Sequence, residues 1–152
     1  MIYVIVALKS EAQAFVDKYK LPPTKENKNI SITVSGMGIQ NMFEATCEVV
    51  NKMKKGDSIL NVGICGASKN YKIGQLLNAK DIVLTCVDSA QYTDHYDVVD
   101  MESSGFKRAT LDLDKCYIFK IVSDHFDPKS VTKDKAKQLI FNKIDEIMEN
   151  VL

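Results

Sequence analysis

The chain has 152 residues, 45% of them hydrophobic and 26% charged, and its twenty basic side chains balance twenty acidic ones. These values are typical of one globular domain, 1–152, with a core that needs neither a metal nor disulfides. The zero net charge provides no broad field toward nucleic acid or an anionic membrane, so we expect neither as a partner.

Short apolar runs alternate with helical spacings along the chain. Ile2–Leu8 predicts a buried strand, and Ser10, with Gln13 three residues later, predicts the capping box of a helix that ends before Pro22. The later predicted elements are strands at Ile30–Val34, Ser58–Val62, Ile82–Val87, Val98–Val99 and Cys116–Val122, helices at Ile39–Lys54 and Ser103–Thr110, and a C-terminal helix of about five turns with the apolar stripe Ala136, Ile140, Ile144, Ile147 and Val151. This alternation favours an α/β fold with a largely parallel sheet.

The cysteines and the first apolar run indicate the compartment. Cys47, Cys65, Cys86 and Cys116 are widely spaced, without a Cys-x-x-Cys pair, which favours free thiols and no metal site. Ile2–Leu8 is too short for a signal peptide or a membrane span. We therefore expect a cytoplasmic protein.

Polar or glycine-rich turns follow most of the predicted strands. In parallel sheets, ligands bind outside the carboxyl ends of the strands, so function is expected in these turns. The turns are Lys9–Glu11, Ser35–Gly38, Gly63–Gly66, Asp100–Glu102 and Ser123–Asp124. Neither glycine turn matches a dinucleotide fingerprint or a P-loop, so no cofactor is predicted.

Each acidic residue in these turns has a structural and a chemical interpretation. Glu11 is either a first-turn glutamate that favours the helix dipole or a general base. Asp100 and Glu102 are either the cap and first-turn acid of a helix or a carboxylate pair for chemistry on a sugar. Asp124, beside Ser123, is either a turn aspartate or a general acid.

Taken together, the turns resemble those of the nucleoside phosphorylase and methylthioadenosine/S-adenosylhomocysteine nucleosidase superfamily. The resemblance covers both halves of the chain and is most specific in its Met-Glu and Ser-Asp signatures. The matching segments are Glu11 after the first strand, Ser35–Gly38, Asn61–Ala67 with Ile73–Gly74, Asp81–Val83, Val99–Glu102 and Val122–His125.

The resemblance implies a three-layer α/β/α fold around a mostly parallel mixed sheet, and a role for each matching residue. Glu11 is similar to the base that activates water, and Asp124 to the acid that protonates the purine at N7. Met101 and Glu102 are similar to the ribose-binding pair, and Cys65, Gly66 and Ser123 are expected to contact the substrate. The family also implies a homodimer or larger homo-oligomer, in which a neighbour completes the pocket.

The chain is shorter than ordinary members of this superfamily, and the shortfall lies between Asp88 and Val98. Only Ser89–Asp97 connects two strands where the family has a segment that stacks on the purine. Asp100 stands where the family usually has a glutamate. These differences leave open a catalytically silent nucleoside-binding or scaffold protein.

Hydrolysis is favoured over phosphorolysis. The phosphorylases of the superfamily hold phosphate with arginines, one of them where this chain has Asn61, and with a serine where it has Ile64. Arg108 is the only arginine in the sequence and matches no phosphate ligand. Lysine lacks the bidentate geometry of arginine, and Glu11 would repel a dianion. The expected activity is hydrolysis of the N-glycosidic bond of a purine nucleoside or thionucleoside, with phosphorolysis as the alternative.

Overall fold

A computed structural model describes residues 1–93 and 95–152, which form a seven-stranded mixed sheet with helices on both faces. The strands are β1 Ile2–Val6, β2 Ile30–Val34, β3 Ser58–Ala67, β4 Leu76–Asn78, β5 Leu84–Cys86, β6 Val98–Asp100 and β7 Cys116–Asp124. The helices are α1 Lys9–Tyr19, α2 Ile39–Lys52, α3 Ser103–Ala109, α4 Lys133–Phe141 and α5 Ile144–Val151, and short 3-10 turns occupy Ala79–Asp81 and Pro128–Ser130.

The sheet is built around the long strand β3. Strand β1 runs parallel to the first half of β3 and carries β2, also parallel, on its outer edge. Strand β7 runs parallel to β3 along most of its length, and β4 pairs antiparallel with β7. The last residues of β3 pair antiparallel with β6, which in turn pairs parallel with β5. The predicted mostly parallel, mixed sheet is thus confirmed.

The core lies in two layers because successive side chains of the strands alternate between the two faces. On one face Val4 and Val6 of β1 pack with α1, α4 and α5. On the other, Tyr3 and Ile5 pack with α2 and α3. Full burial of one such side chain contributes about 1.5–3 kcal/mol. Both faces are covered, which confirms the predicted three-layer α/β/α architecture.

Helix α3 lies unusually close to the start of α2. A Cβ atom at Gly105 would collide with the main-chain carbonyl of Ile39, so only glycine fits there. This close approach brings the turn before α3, Asp100–Glu102, against the glycine turn before α2. Gly38 and Glu102 are joined by a hydrogen bond as a result.

The first helix begins differently from the prediction. We expected Ser10 to cap it, but α1 begins at Lys9, with Leu8 in the N-cap position. The Glu11 carboxylate accepts hydrogen bonds from two main-chain N–H groups at the start of the helix. A buried carboxylate therefore replaces the predicted serine cap.

The Gly63–Gly66 segment is also different from the prediction, because it lies within β3 and is not a turn after it. Strand β7 continues to pair with this segment as far as Asp124, with one irregularity after Cys65, and this pairing keeps it extended. The glycines are part of the sheet itself.

The predicted five-turn C-terminal helix is two helices, α4 and α5. Asn142 and Lys143 interrupt it, and the Lys143 N–H bonds to the carbonyl of Ile140, three residues back, which tightens the chain. Among the predicted strands, Ile82–Val87 is reduced to Leu84–Cys86, and β4 was not predicted. Within residues 1–93 and 95–152, no helix combines the length and apolar character needed to cross a membrane.

Candidate active site

A cavity of about 310 Å³ opens at the carboxyl ends of β1 and β7, beside β6 and the end of β3. All seven residues that the sequence analysis singled out line it: Glu11, Cys65, Gly66, Met101, Glu102, Ser123 and Asp124. It is further lined by side chains of the glycine turn before α2, of β3 and β7, and of the connection after β5, among them Met37, Asn61, Val87, Ala90, Gln91, Lys120 and Pro128.

Glu11 is held at the floor of the cavity by the backbone. Its side chain is 2% exposed, and Oε1 accepts from the N–H groups of Ala7 and Leu8 at 3.1 and 2.9 Å. Oε2 accepts from the N–H of Ile64 at 2.9 Å. Burial raises the pKa of this carboxyl to about 7, although the hydrogen bond from Ile64 and the nearby Lys120 ammonium oppose the rise. A carboxyl of this kind can take up and release a proton near neutral pH.

Lys120 is a functional candidate that the sequence analysis missed. It lies in β7 at 2% exposure, and its ammonium is 3.0 Å from Oδ2 of Asp100. Burial lowers the pKa of this lysine, but the carboxylates of Asp100 and Glu102 outweigh burial and raise it. The signal in the sequence was a lysine in the middle of the apolar run 116–122, because lysine is almost never fully buried unless it is paired.

Gly63 provides the room that this lysine needs. It lies opposite Lys120 in the pairing of β3 with β7. A Cβ atom at Gly63 would be 3.0 Å from Oε2 of Glu11 and 3.3 Å from Nζ of Lys120. The bare backbone there lets an ammonium and a carboxyl share one side of the sheet.

Asp100 is tied to the helix that follows it. Oδ1 accepts from the Ser103 hydroxyl at 2.6 Å, and Oδ2 accepts from the Ser103 N–H at 2.8 Å. Burial on its own would raise the pKa of Asp100, but Lys120 and the Ser103 hydroxyl hold it below its usual range. Asp100 thus accepts the N–H of Ser103, the first residue of α3, and also neutralises Lys120. The N-cap position itself is occupied by Glu102, whereas the structural interpretation placed Asp100 there.

Glu102 lies directly beside this ion pair. It is 8% exposed, and its oxygens accept only two long hydrogen bonds, from the N–H groups of Gly38 at 3.3 Å and Met101 at 3.2 Å. A carboxylate has about four acceptor positions, so Glu102 retains capacity for hydroxyl groups of a ligand. Met101, half-buried, adds an apolar sulfur-containing surface next to it.

Ser123 and Asp124 form a short chain of polar groups at the end of β7. The Ser123 Oγ is 2.6 Å from Oδ1 of Asp124 and 3.1 Å from the carbonyl oxygen of Cys65. One hydroxyl has a single hydrogen and cannot donate to both. The Ser123 hydroxyl therefore donates to one of these two acceptors at a time.

The other oxygen of Asp124 is fixed by the turn that follows. Oδ2 accepts from the N–H of Asp127 at 2.9 Å, and the Asp124 side chain lies over Gly66, 3.5 Å from where a Cβ atom would be. Burial raises the pKa of the neighbouring Cys65 thiol to about 12, so this thiol stays protonated. The side chain of Cys65 is therefore a neutral lining group.

Asn61 contributes an acceptor without a partner. Its Nδ2 donates to the carbonyl of Ile5 at 3.2 Å, which fixes the orientation of the amide. Its Oδ1 is buried and has no hydrogen-bond partner among the described residues. From the sequence alone, Asn61 is notable only because it stands where a phosphate-binding arginine was considered.

Four carboxyl groups and one ammonium line the cavity: Glu11, Asp100, Glu102 and Asp124, with Lys120. Arg108 lies elsewhere, with its guanidinium 4.5 Å from the centre of the Phe43 ring. Because Asp100 already pairs with the ammonium, the cavity presents little positive charge to an anion.

Comparison with known proteins identifies the fold. No protein-family model matches the sequence, and no curated protein matches it. Solved structures do match: futalosine hydrolase of Helicobacter pylori has a TM-score of 0.76 at 14% identity, covering 98% of this chain and 97% of that one.

Two nucleosidase structures match the fold of this chain to a similar degree. The 5′-methylthioadenosine/S-adenosylhomocysteine nucleosidase from Neisseria meningitidis, in complex with methylthio-immucillin-A, has a TM-score of 0.72 at 15% identity, covering 98% of each chain. That from Colwellia psychrerythraea, in complex with adenine, has a TM-score of 0.68 at 15% identity, covering 95% of this chain and 94% of that one. The chain described here has the fold that these nucleosidases and futalosine hydrolase share.

Proposed function

We propose that this protein hydrolyses the N-glycosidic bond of a purine nucleoside or thionucleoside such as methylthioadenosine or S-adenosylhomocysteine. The observation that carries the proposal is the convergence of Glu11, Glu102 and Asp124 on one cavity of about 310 Å³. Solved structures of the same fold that are named as nucleosidases support it.

The chemistry requires two opposite charges to be stabilised. Cleavage of the bond develops positive, oxocarbenium-like charge on the sugar and negative charge on the departing base. We assign the sugar to the part of the cavity formed by Glu11, Asp100–Glu102 and Lys120, called the sugar end below. We assign the purine to the part formed by Cys65, Gly66, Ser123 and Asp124, called the base end.

At the sugar end, Glu102 would accept hydrogen bonds from the ribose hydroxyls while Met101 packs on the ring. Glu11 would remove a proton from the attacking water, a role that its pKa of about 7 suits. Its oxygens have one free acceptor position besides their three backbone hydrogen bonds. That position would receive the water.

At the base end, Asp124 would protonate N7 of the purine as the bond breaks. Ser123, whose hydroxyl lies 2.6 Å from Oδ1 of Asp124, would fix the position of this side chain. The bare backbone at Gly66 would allow a flat base to lie against the sheet.

Water is the proposed nucleophile, because the single ammonium at the sugar end is paired with Asp100 and no arginine lines the cavity. Phosphorolysis remains the alternative for the reaction, and nucleoside binding without turnover the alternative for the protein. We also propose a cytoplasmic homodimer or larger homo-oligomer formed from single-domain chains.

The test is to incubate the purified protein, at high concentration, with methylthioadenosine, S-adenosylhomocysteine, adenosine and inosine, with and without phosphate. Release of free base and free sugar without phosphate is expected. A strict phosphate requirement would support phosphorolysis. Absence of any free base would remove the catalytic proposal, and a nucleoside-dependent rise of Tm would then leave a binding protein.

A further inference from the structure

We propose that Gln91, in the connection between β5 and β6, selects purines with a 6-amino group over those with a 6-oxo group. The inference rests on the proposed function for the identity of the ligand, and it adds the part of the site that distinguishes one base from another. Gln91 lies in the segment 89–97, whose residue Asp94 is outside the described residues.

Hydrogen bonds attach the chain to the rest of the fold both before and after Gln91. Before it, the N–H of Val87 donates to the carbonyl of Asp100 at 2.8 Å. After it, the carboxylate of Asp97 accepts from the hydroxyls of Ser68 and Tyr71, each at 3.0 Å. The connection is therefore fixed to β6 at one end and to the residues after β3 at the other.

Within this segment, residues 90–92 lie beside the turn that follows Asp124. The ammonium of Lys129 lies 5.6 Å from the centre of the Tyr92 ring. Ala90 and Gln91, immediately before that tyrosine, line the cavity together with Pro128 of the same turn. Gln91 therefore belongs to the base end.

The hydrogen bond within the segment determines which atom Gln91 can offer to a ligand. Its Nε2 donates to the carbonyl oxygen of Ser89 at 2.9 Å. A carbonyl can only accept, so the amide cannot be turned over without losing this bond. The amide oxygen, an acceptor, is the atom left for a bound base.

The geometry of a purine brings its 6-substituent next to N7, the atom proposed to receive the proton of Asp124. A 6-amino group carries hydrogens and donates to an acceptor, whereas a 6-oxo group is itself an acceptor. An amide oxygen at the base end would therefore stabilise an adenine-type base and repel a hypoxanthine-type base. Gln91 is thus a specificity-determining residue for the exocyclic group.

The test compares two ligand pairs, adenosine with inosine for kcat/KM and free adenine with free hypoxanthine for Kd. We expect the wild-type protein to prefer the 6-amino member of each pair. Gln91→Leu removes the acceptor and is expected to reduce this preference about ten-fold, the value of one net hydrogen bond.

The matched control is Gln138→Leu, because Gln138 is exposed on α4 and bonds only to Asn142. This change is expected to leave the ratio between 6-amino and 6-oxo ligands unaltered. General damage to folding would lower both members of a pair together, so the ratio reports selection and not stability.

Each outcome has a defined meaning. A wild-type preference for inosine and hypoxanthine, or an unchanged ratio in Gln91→Leu, would overturn the inference while the proposed hydrolysis stands. Selective, Gln91-dependent binding of adenine without cleavage of any nucleoside would overturn the hydrolysis and keep the inference. Failure to bind either base, together with no release of base from any nucleoside, would overturn both.

Discussion

The sugar end and the base end of the cavity are built by different means. At the sugar end, Glu11 and the Asp100–Lys120 pair are buried and held by backbone hydrogen bonds and by an ion pair of 3.0 Å. At the base end, one carboxyl, Asp124, has a serine and a turn N–H as partners. A short connection completes that end.

The strands of the sheet position the side chains of the sugar end, whereas a connecting loop contributes residues to the base end. Charges at the sugar end are placed by β1, β3, β6 and β7, so each depends on the packing of the whole fold. The base end adds residues of the connection between β5 and β6, among them Ala90 and Gln91. We therefore expect substitutions at the sugar end to affect stability and catalysis together, and substitutions at the base end to affect mainly the leaving group.

The largest effect on stability is expected from Lys120→Met. Removing the ammonium leaves Asp100 buried without its counterion, which costs about 3–5 kcal/mol in the free energy of unfolding. The measurement is urea denaturation of wild type and variant. Combining the change with Asp100→Asn should recover part of the loss, since residue 100 then carries no charge that needs the ammonium.

Lys137→Met is the matched control for this prediction. Lys137 pairs with Asp17 at 2.6 Å, but both side chains are more than a third exposed. Its loss should cost less than about 1 kcal/mol. Equal losses for the two lysines would contradict the view that the sugar end depends on a buried ion pair.

The second prediction concerns catalysis at the same end. Glu11→Gln should lower kcat about 10²–10⁴-fold, because an amide cannot accept a proton from water at neutral pH. The steady-state rate of base release measures it, with Glu44→Gln, on α2 and exposed, as the control. A variant that keeps full activity would exclude Glu11 as the base.

The third prediction is a pH dependence of stability that arises from Glu11. Its folded-state pKa of about 7 lies above the ordinary value of 4.5, so the folded protein holds a proton that the unfolded chain releases between these values. The contribution is fully present below pH 4.5 and is lost as the pH rises to about 7. It amounts to about 3 kcal/mol, at about 1.4 kcal/mol per pH unit.

Denaturation curves at several pH values between 4 and 8, for wild type and Glu11→Gln, measure this contribution. The wild-type free energy of unfolding should fall relative to the variant as the pH rises. Asp100 does not obscure the result, because its pKa is lowered and its contribution is lost only as the pH falls below its ordinary range. A constant difference between the two proteins would show that Glu11 does not titrate in this window.

Much of the fold could be predicted from the sequence because local patterns and sheet geometry agree. Alternating apolar runs and helical spacings defined the strands and helices, and parallel strands bring their carboxyl ends to one edge. Glu11 and Asp124 follow β1 and β7, which are both parallel to β3, so they lie at one edge of the sheet. Glu102 follows β6, which is antiparallel to the end of β3, and it reaches the same cavity through that pairing. Their chemical roles remain predictions.

What the sequence did not predict depends on contacts between distant segments. Lys120 is a charged residue within an apolar strand. Its burial is explained by the ion pair with Asp100, which belongs to β6 and is distant in the sequence. The extended conformation of Gly63–Gly66 depends on pairing with β7, which a local glycine pattern does not reveal. The place of Gln91 beside the turn after β7 likewise follows from tertiary packing, not from its neighbours in sequence.

The last prediction tests the division between the two ends directly. Asp124→Asn removes the proposed proton donor and should slow release of adenine from adenosine about 10²-fold. A riboside with p-nitrophenolate as leaving group needs no protonation, so its cleavage should be almost unaffected. Glu11→Gln should slow both substrates, because each requires an activated water, and Asp112→Asn, at an exposed site, should slow neither. If Asp124→Asn slowed the two ribosides equally, Asp124 would serve the sugar or the fold, and the separate chemistry assigned to the base end would be wrong.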